Sequence, residues 1–151
     1  MLAADRVIPE RKIAPGPEFP HMVAAGFRLF RNSITAVCAD GTVVPAGSAN
    51  TPSPLVAIVG MATAQYDNTG AAGLVPDIDT APDVWIRKGC WALPFDVAPT
   101  WANVNAPVYA VDDETVTLTE NAGTEAAPVN RLQVGTLAGL EADGTPYVLI
   151  P

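Results

Sequence analysis

Fifteen prolines are spread along this 151-residue chain, and they constrain its fold class more than any other feature. Each removes a backbone N–H and pushes the preceding residue away from helical geometry, so few intervals between them could hold a long helix. What lies between them is rich in strand formers, with 17 valines and 13 threonines. An all-α fold is excluded. Proline and glycine together make 27 of 151 residues, or 18%, below the roughly 25–30% that marks low complexity. Leu, Ile, Val and Phe make 38 of 151, or 25%, above the roughly 20% floor for a chain that can build a core. The length suits one domain.

Four of the prolines fall in residues 1–20, beside five charges in the first twelve positions and no sustained periodicity. This stretch reads as an extended N-terminal arm leading into a single β-domain over 21–151. It is either a frayed terminus or an arm that orders against a partner. The second reading rests on its apolar anchors Val7, Ile8, Ile13 and Phe19 and its bases Arg6, Arg11 and Lys12.

Beyond the arm the sequence predicts strands. Ile34 to Cys38 and Thr42 to Val44 flank Asp40-Gly41 and read as a hairpin. Residues 46–53 read as loop, and Pro54 to Ala62 is a continuous apolar run, expected to be a buried strand. Residues 66–83 read as a long connection. Val84 to Leu93 reads as one strand, and perfect alternation along it would put Trp85 and Trp91 on a shared face. Pro107 to Val111, Thr115 to Thr119 and Arg131 to Leu140 follow. In the second of these Val116 and Leu118 are expected inward and three threonines outward; in the third, Gly135 is expected at a bulge or bend. After Asp143-Gly144 comes a last strand, Pro146 to Ile150. Short strands joined by tight turns predict an all-β fold, a small β-barrel or β-sandwich.

The net charge of −8 is unevenly placed: +2 over residues 1–31, −3 over 32–89 and −7 over 90–151. A body that acidic repels phosphate, so no nucleic-acid partner is expected. Charges at Asp5, Arg6, Glu10, Arg11 and Lys12 interrupt any secretory signal, and no apolar run reaches the roughly 18 residues of a membrane span. Cys38 and Cys90 fit reduced thiols of a protein made in a cytoplasm, a single disulfide between them being the alternative.

Signatures of catalysis are sparse. His21 is the only histidine, so a multi-histidine zinc site cannot be built, and no phosphate-binding loop or nucleophile elbow occurs. His21 reads as a surface or packed imidazole, and the cysteines as buried thiols. A Cys–His dyad using Cys38 or Cys90 is the enzymatic alternative. Asp77, Asp79 and Asp83, and Asp112, Asp113 and Glu114, read as turn acids rather than a calcium loop. No cofactor, metal or enzymatic activity is expected. Trp85, Trp91 and Trp101 fall within 17 residues and read as core first, as an association patch second.

Gly89 to Pro94, Ala106-Pro107-Val108-Tyr109, Thr115 to Thr119, Val134-Gly135-Thr136-Leu137 and Val148-Leu149-Ile150 together form a pattern. Over residues 84–150 it resembles the capsid cement, or decoration, proteins of tailed bacteriophages. Ala106 stands where that pattern has a glycine. The resemblance implies a protein made in the host bacterial cytoplasm and carried on the outer surface of the capsid. Its expected partners are the major capsid protein and itself, as a homotrimer, bracing neighbouring shell subunits after expansion. The residues expected to touch a partner are Arg6, Val7, Ile8, Arg11, Lys12, Ile13, Phe19 and Trp101. The alternative is a receptor- or glycan-binding module of a virion, at a head fibre base or on the tail, with tryptophan stacking on sugar.

Overall fold

The computed structural model describes residues 3–5, 7, 16–70 and 83–151. Short polar turns decide where its strands begin and end. At Asp40 the carboxylate Oδ1 accepts both the N–H (3.0 Å) and the hydroxyl (2.7 Å) of Thr42. Gly41 between them takes a φ of 86°, which a side chain would resist. The same Asp-x-Thr device recurs at Asp67 and Thr69 (2.9 and 2.6 Å) and at Asp143 and Thr145 (2.9 Å).

The strands are β1 (Glu18–Met22), β2 (Arg28–Leu29), β3 (Ile34–Cys38), β4 (Val43–Pro45), β5 (Leu55–Ala62) and β6 (Tyr66–Asp67). After them come β7 (Asp83–Arg87), β8 (Gly89–Ala92), β9 (Pro107–Ala110), β10 (Val116–Thr117), β11 (Gln133–Leu140) and β12 (Pro146–Ile150). One 3-10 turn, Trp101–Asn103, is the sole helical element among the described residues. No described helix is long and apolar enough to cross a membrane. The strands form two five-stranded sheets, ordered β1-β7-β5-β3-β4 and β10-β9-β11-β12-β8, and a two-stranded ribbon, β2-β6. Every ladder is antiparallel. The fold is all-β, as expected.

The first sheet is the middle layer. On one face Ile34 and Met61 join Trp91, Val108, Val134, Leu137, Val148 and Ile150 of the second sheet. On the other, Val43, Ala62, Val84 and Ile86 pack with Val23 and Leu29, with Tyr66 of the ribbon against them. Where both faces are covered, over β3 and β4, buried residues stand at successive positions and strict polar alternation is absent.

The Asp40-Gly41 hairpin, the Gly135 bulge and the final hairpin fall where the sequence places them. Other expectations need correction. Val84 to Leu93 is two strands in two different sheets, β7 and β8, with Lys88 as the crossing point. Trp85 is therefore exposed and Trp91 buried, rather than sharing a face. The strand from Leu55 is buried only over its last three residues. Among the described residues it meets β7 only at Met61 and Ala62, and its first half has no described neighbour on that side. Tyr66–Asp67 is a strand rather than loop. The threonine-rich stretch pairs only over Val116–Thr117, and Thr117 is buried, its hydroxyl accepting the N–H of Thr119 at 3.1 Å. Glu18–Pro20, read as the end of the arm, belong to β1.

Candidate functional site

β1 is the edge strand of the first sheet and the place where the N-terminal segment joins the body. Its approach is fixed at Gly16 and Pro17. Lys88 donates its N–H to the carbonyl of Pro17 at 3.2 Å, and a Cβ at Gly16 would lie 2.0 Å from the Lys88 carbonyl oxygen. Glycine is needed there because two backbones meet.

Register then sorts the side chains. Glu18 lies opposite Arg87, Pro20 opposite Trp85 and Met22 opposite Asp83, all on one face, while Phe19 and His21 lie opposite Ile86 and Val84 on the other. On the first face Met22 is 54% and Trp85 45% exposed. The centre of this strip is apolar, and Glu18, Arg87 and Asp83 frame it. Further along β7, Arg87 places its guanidinium 4.7 Å from the ring centroid of the buried Trp91, so the inner end of the strip is anchored in the core.

Among the described strands none pairs with the outer edge of β1, and that edge is blunted. The carbonyl of Trp85 accepts the N–H of Thr63 in the direction of β5, so the backbone of Pro20 opposite faces the open side. Proline supplies no donor there, which opposes addition of another strand and leaves side chains as the means of contact.

The residues expected from sequence to touch a partner are dispersed. Phe19 is 54% exposed on β1, and Val7 is 97% exposed. Trp101 is 65% exposed on the 3-10 turn, in the connection between β8 and β9. Asn103 Oδ1 accepts the N–H of Thr100 at 2.8 Å and its hydroxyl at 3.0 Å, so this turn holds Trp101 in a fixed setting. Arg6, Ile8, Arg11, Lys12 and Ile13 lie outside the described residues, as do Asp77 and Asp79. Pro20 and Met22 were missed, and Trp85 was read as core before association patch, because only the β1–β7 register brings the three together.

Cys38 and Cys90 are both buried free thiols, and burial pushes the Cys90 thiol up. His21 is half-buried in β1. No group of three or more His, Cys, Asp or Glu among the described residues could hold a metal ion. The carboxylates instead serve the turns. Burial works against ionisation of Asp112, but the N–H groups of Glu114 (2.9 Å) and Thr115 (2.8 Å) hold its pKa below the ordinary value.

Asp67 is the clearest case. The Thr69 hydroxyl is the main cause holding its carboxyl low; its backbone N–H and Arg28 add to that, and burial works against them. Arg28 Nη2 lies 2.9 Å and Nε 3.1 Å from Oδ2, across the β2–β6 ladder. A carboxylate with a lowered folded pKa adds stability that is fully present above its unfolded value, near 3.8, and is lost as pH falls through the folded value. Stability should therefore be flat on this account from neutral pH down to about 4 and then fall. Asp67→Ala should cost about 1.5–3 kcal/mol at neutral pH and reduce that acid slope. Urea titrations of both proteins between pH 2.5 and 7 check this, and parallel curves would contradict it.

No family model matches the sequence, no curated protein is significantly similar to it, and no solved structure matches its fold.

Proposed function

We propose that this chain is a capsid cement protein of a tailed bacteriophage. It binds the outer surface of the expanded head as a homotrimer and holds neighbouring major capsid subunits together. One observation carries the reading: the strip of Pro20, Met22 and Trp85 with its charged frame, on a proline-blunted edge beside the N-terminal segment. Trp, Met and Arg are enriched at protein contacts, and an apolar centre inside a polar rim is the usual anatomy of one. The sequence pattern over residues 84–150 supplies the identity of the partner, and the acidic C-terminal half suits a protein-facing role. A ligand that binds only the assembled, expanded shell stabilises that state by mass action, and display as a trimer adds avidity.

Met22→Ser with Trp85→Ser tests the docking strip. Both side chains are about half exposed, so the fold should survive. Loss of one interface hot spot costs about 2 kcal/mol or more, roughly thirtyfold in affinity, and the pair should exceed that. Binding to undecorated expanded heads, measured by co-sedimentation, should fall accordingly. Unchanged affinity would exclude this strip as the contact.

The exposed Trp101, carried on a hydrogen-bonded turn, favours a second reading as a glycan-binding virion module. Binding of the isolated protein to a glycan array, lost in Trp101→Ala, would support that reading against the first.

A further inference from the structure

The second sheet keeps charge out of its strands. Residues 90–151 hold eight acids and one base, and every one of them lies in a connection, as Asp112, Asp113 and Glu114 do after β9 and Glu141 and Asp143 after β11. No residue of β8, β9, β10, β11 or β12 is charged. On the face that packs against the first sheet, burial accounts for this. The outer face is different. Val148 and Ile150 belong to the core, so Leu149 between them points outward. Register sets Leu149 opposite Cys90 on one side and Thr136 on the other, and Thr136 opposite Pro107, which makes one uncharged row across four strands. The Cys90 end of the row is buried, but Leu149 is 39% exposed, and Pro107, Gln133 and Ala138 are exposed beside it. The β2–β6 ribbon packs on the far side of the first sheet, so no described strand lies over this face.

We propose that the outer face of the second sheet, around Leu149, Thr136 and Pro107, is the surface on which a second copy of this chain docks. Charge identifies the occupant. Like charges brought face to face oppose association strongly, and each copy carries a net charge of −8. Two such chains can approach closely only through a surface from which charge has been removed. A basic partner would impose no such condition, because acids on the face would attract it. Loss of charged residues is also what sets the core of a protein contact apart from ordinary surface.

The acidic connections then form a rim around a neutral centre. Between two copies these rims repel, and salt screens that repulsion. Self-association through this face should therefore strengthen as salt is raised, whereas a contact of acid on base would weaken. The face lies on a different sheet from the strip of Met22 and Trp85, so one chain can hold a second copy and a further partner at once. The inference deepens the self-association in the function proposed above and rests on that reading for its setting.

The test is sedimentation equilibrium of the full chain from micromolar to millimolar concentration, at low and at moderate sodium chloride. The unaltered chain should self-associate, more tightly at the higher salt. Leu149→Glu should weaken association by about a hundredfold or more, because it sets an acid against an acidic copy. Ala138→Glu, at an exposed position of the same strand array, should weaken it by about tenfold or more and carries little risk to the fold. Urea titration checks that both variants remain folded. Val97→Glu adds the same charge at a 74% exposed position in the connection after β8 and should change nothing. A chain that stays monomeric throughout, or association equal in the unaltered chain and both face variants, would overturn the proposal. So would equal weakening by Val97→Glu, which would make net charge rather than this face the cause, or weakening by salt. A dimer lost in Leu149→Glu would uphold the face and contradict the homotrimer proposed above. Binding to heads is decided separately, by Met22→Ser with Trp85→Ser.

Discussion

Replacing Trp91 with alanine should lower stability by about 3–5 kcal/mol, the range for emptying a large aromatic site, and should reduce the melting temperature by roughly 10 °C or more. Trp91 is 2% exposed and is the largest fully buried side chain. It is the third residue of β8, three positions past Lys88, where the chain leaves one sheet for the other, and belongs to the cluster that joins the two sheets. A Cβ at Gly89 would lie 3.4 Å from its ring, and the Arg87 guanidinium covers it. Truncation would open a cavity between the sheets and leave Arg87 without its ring. Trp91→Phe separates volume from polarity. The indole Nε1 has no hydrogen-bond acceptor among the described residues, so phenylalanine gives up no such bond and should cost far less, about 1 kcal/mol. Equal losses from the two variants, measured by denaturant titration, would contradict this account of the core.

Gly135→Ala should also be severe, although it adds a single methyl group. β11 lies at the centre of the second sheet, between β9 and β12. Its register against β9 slips between Gln133 and Gly135. At that bulge an added Cβ would stand 1.9 Å from the carbonyl oxygen of Leu149. Leu149 cannot yield easily, because β12 is laddered on both sides, to β11 and to β8. Overpacking of this kind costs about 2–3 kcal/mol, more when it disturbs a ladder. Gly139 lies in the same strand with nothing within 4 Å of its added Cβ. Gly139→Ala should be near neutral or slightly stabilising, because it restricts the unfolded chain. If the two substitutions shift the urea midpoint alike, backbone contact at Leu149 is not what requires Gly135.

Turns were the most legible part of the fold. Asp40-Gly41 and Asp143-Gly144 each carry their own chemistry, an aspartate that accepts bonds from the threonine two residues on and a glycine with φ near 90°. The strands they join could be placed from local sequence. What local sequence did not carry was the sheet to which a strand belongs. Val84 to Leu93 is apolar on both sides of Arg87-Lys88-Gly89, and alternation alone does not say that Lys88 ends one sheet and Gly89 begins another. That crossing is fixed by long-range pairing, Glu18 with Arg87 on one side and Ile150 with Gly89 on the other. The same limit hid the docking strip, because Met22 and Trp85 meet only through β1–β7 register. It hid the Asp5–Arg31 contact too, since the two are separated by 26 positions and joined by one side-chain to backbone bond. The arm was legible as a proline-rich, charged stretch, but its end was not: Glu18–Pro20 read as arm and lie in a ladder.

The high proline content, read first as a bar to helices, has more specific uses. Pro20 removes a donor from the open edge of β1, Pro17 accepts the Lys88 N–H, and Pro107 and Pro146 open strands. Together they describe a β-body with one blunted, apolar edge and a tethered N-terminal segment beside it, an arrangement suited to side-chain docking on a protein surface.

The most direct test of the proposed role is whether purified tailed-phage virions assembled from a genome that carries this sequence contain the protein, measured by quantitative mass spectrometry. The account predicts this chain on purified heads in numbers comparable to the major capsid protein, and its removal by mild denaturant with the shell still closed. Its absence from the particles, or its presence at only a few copies per virion, would contradict the proposal.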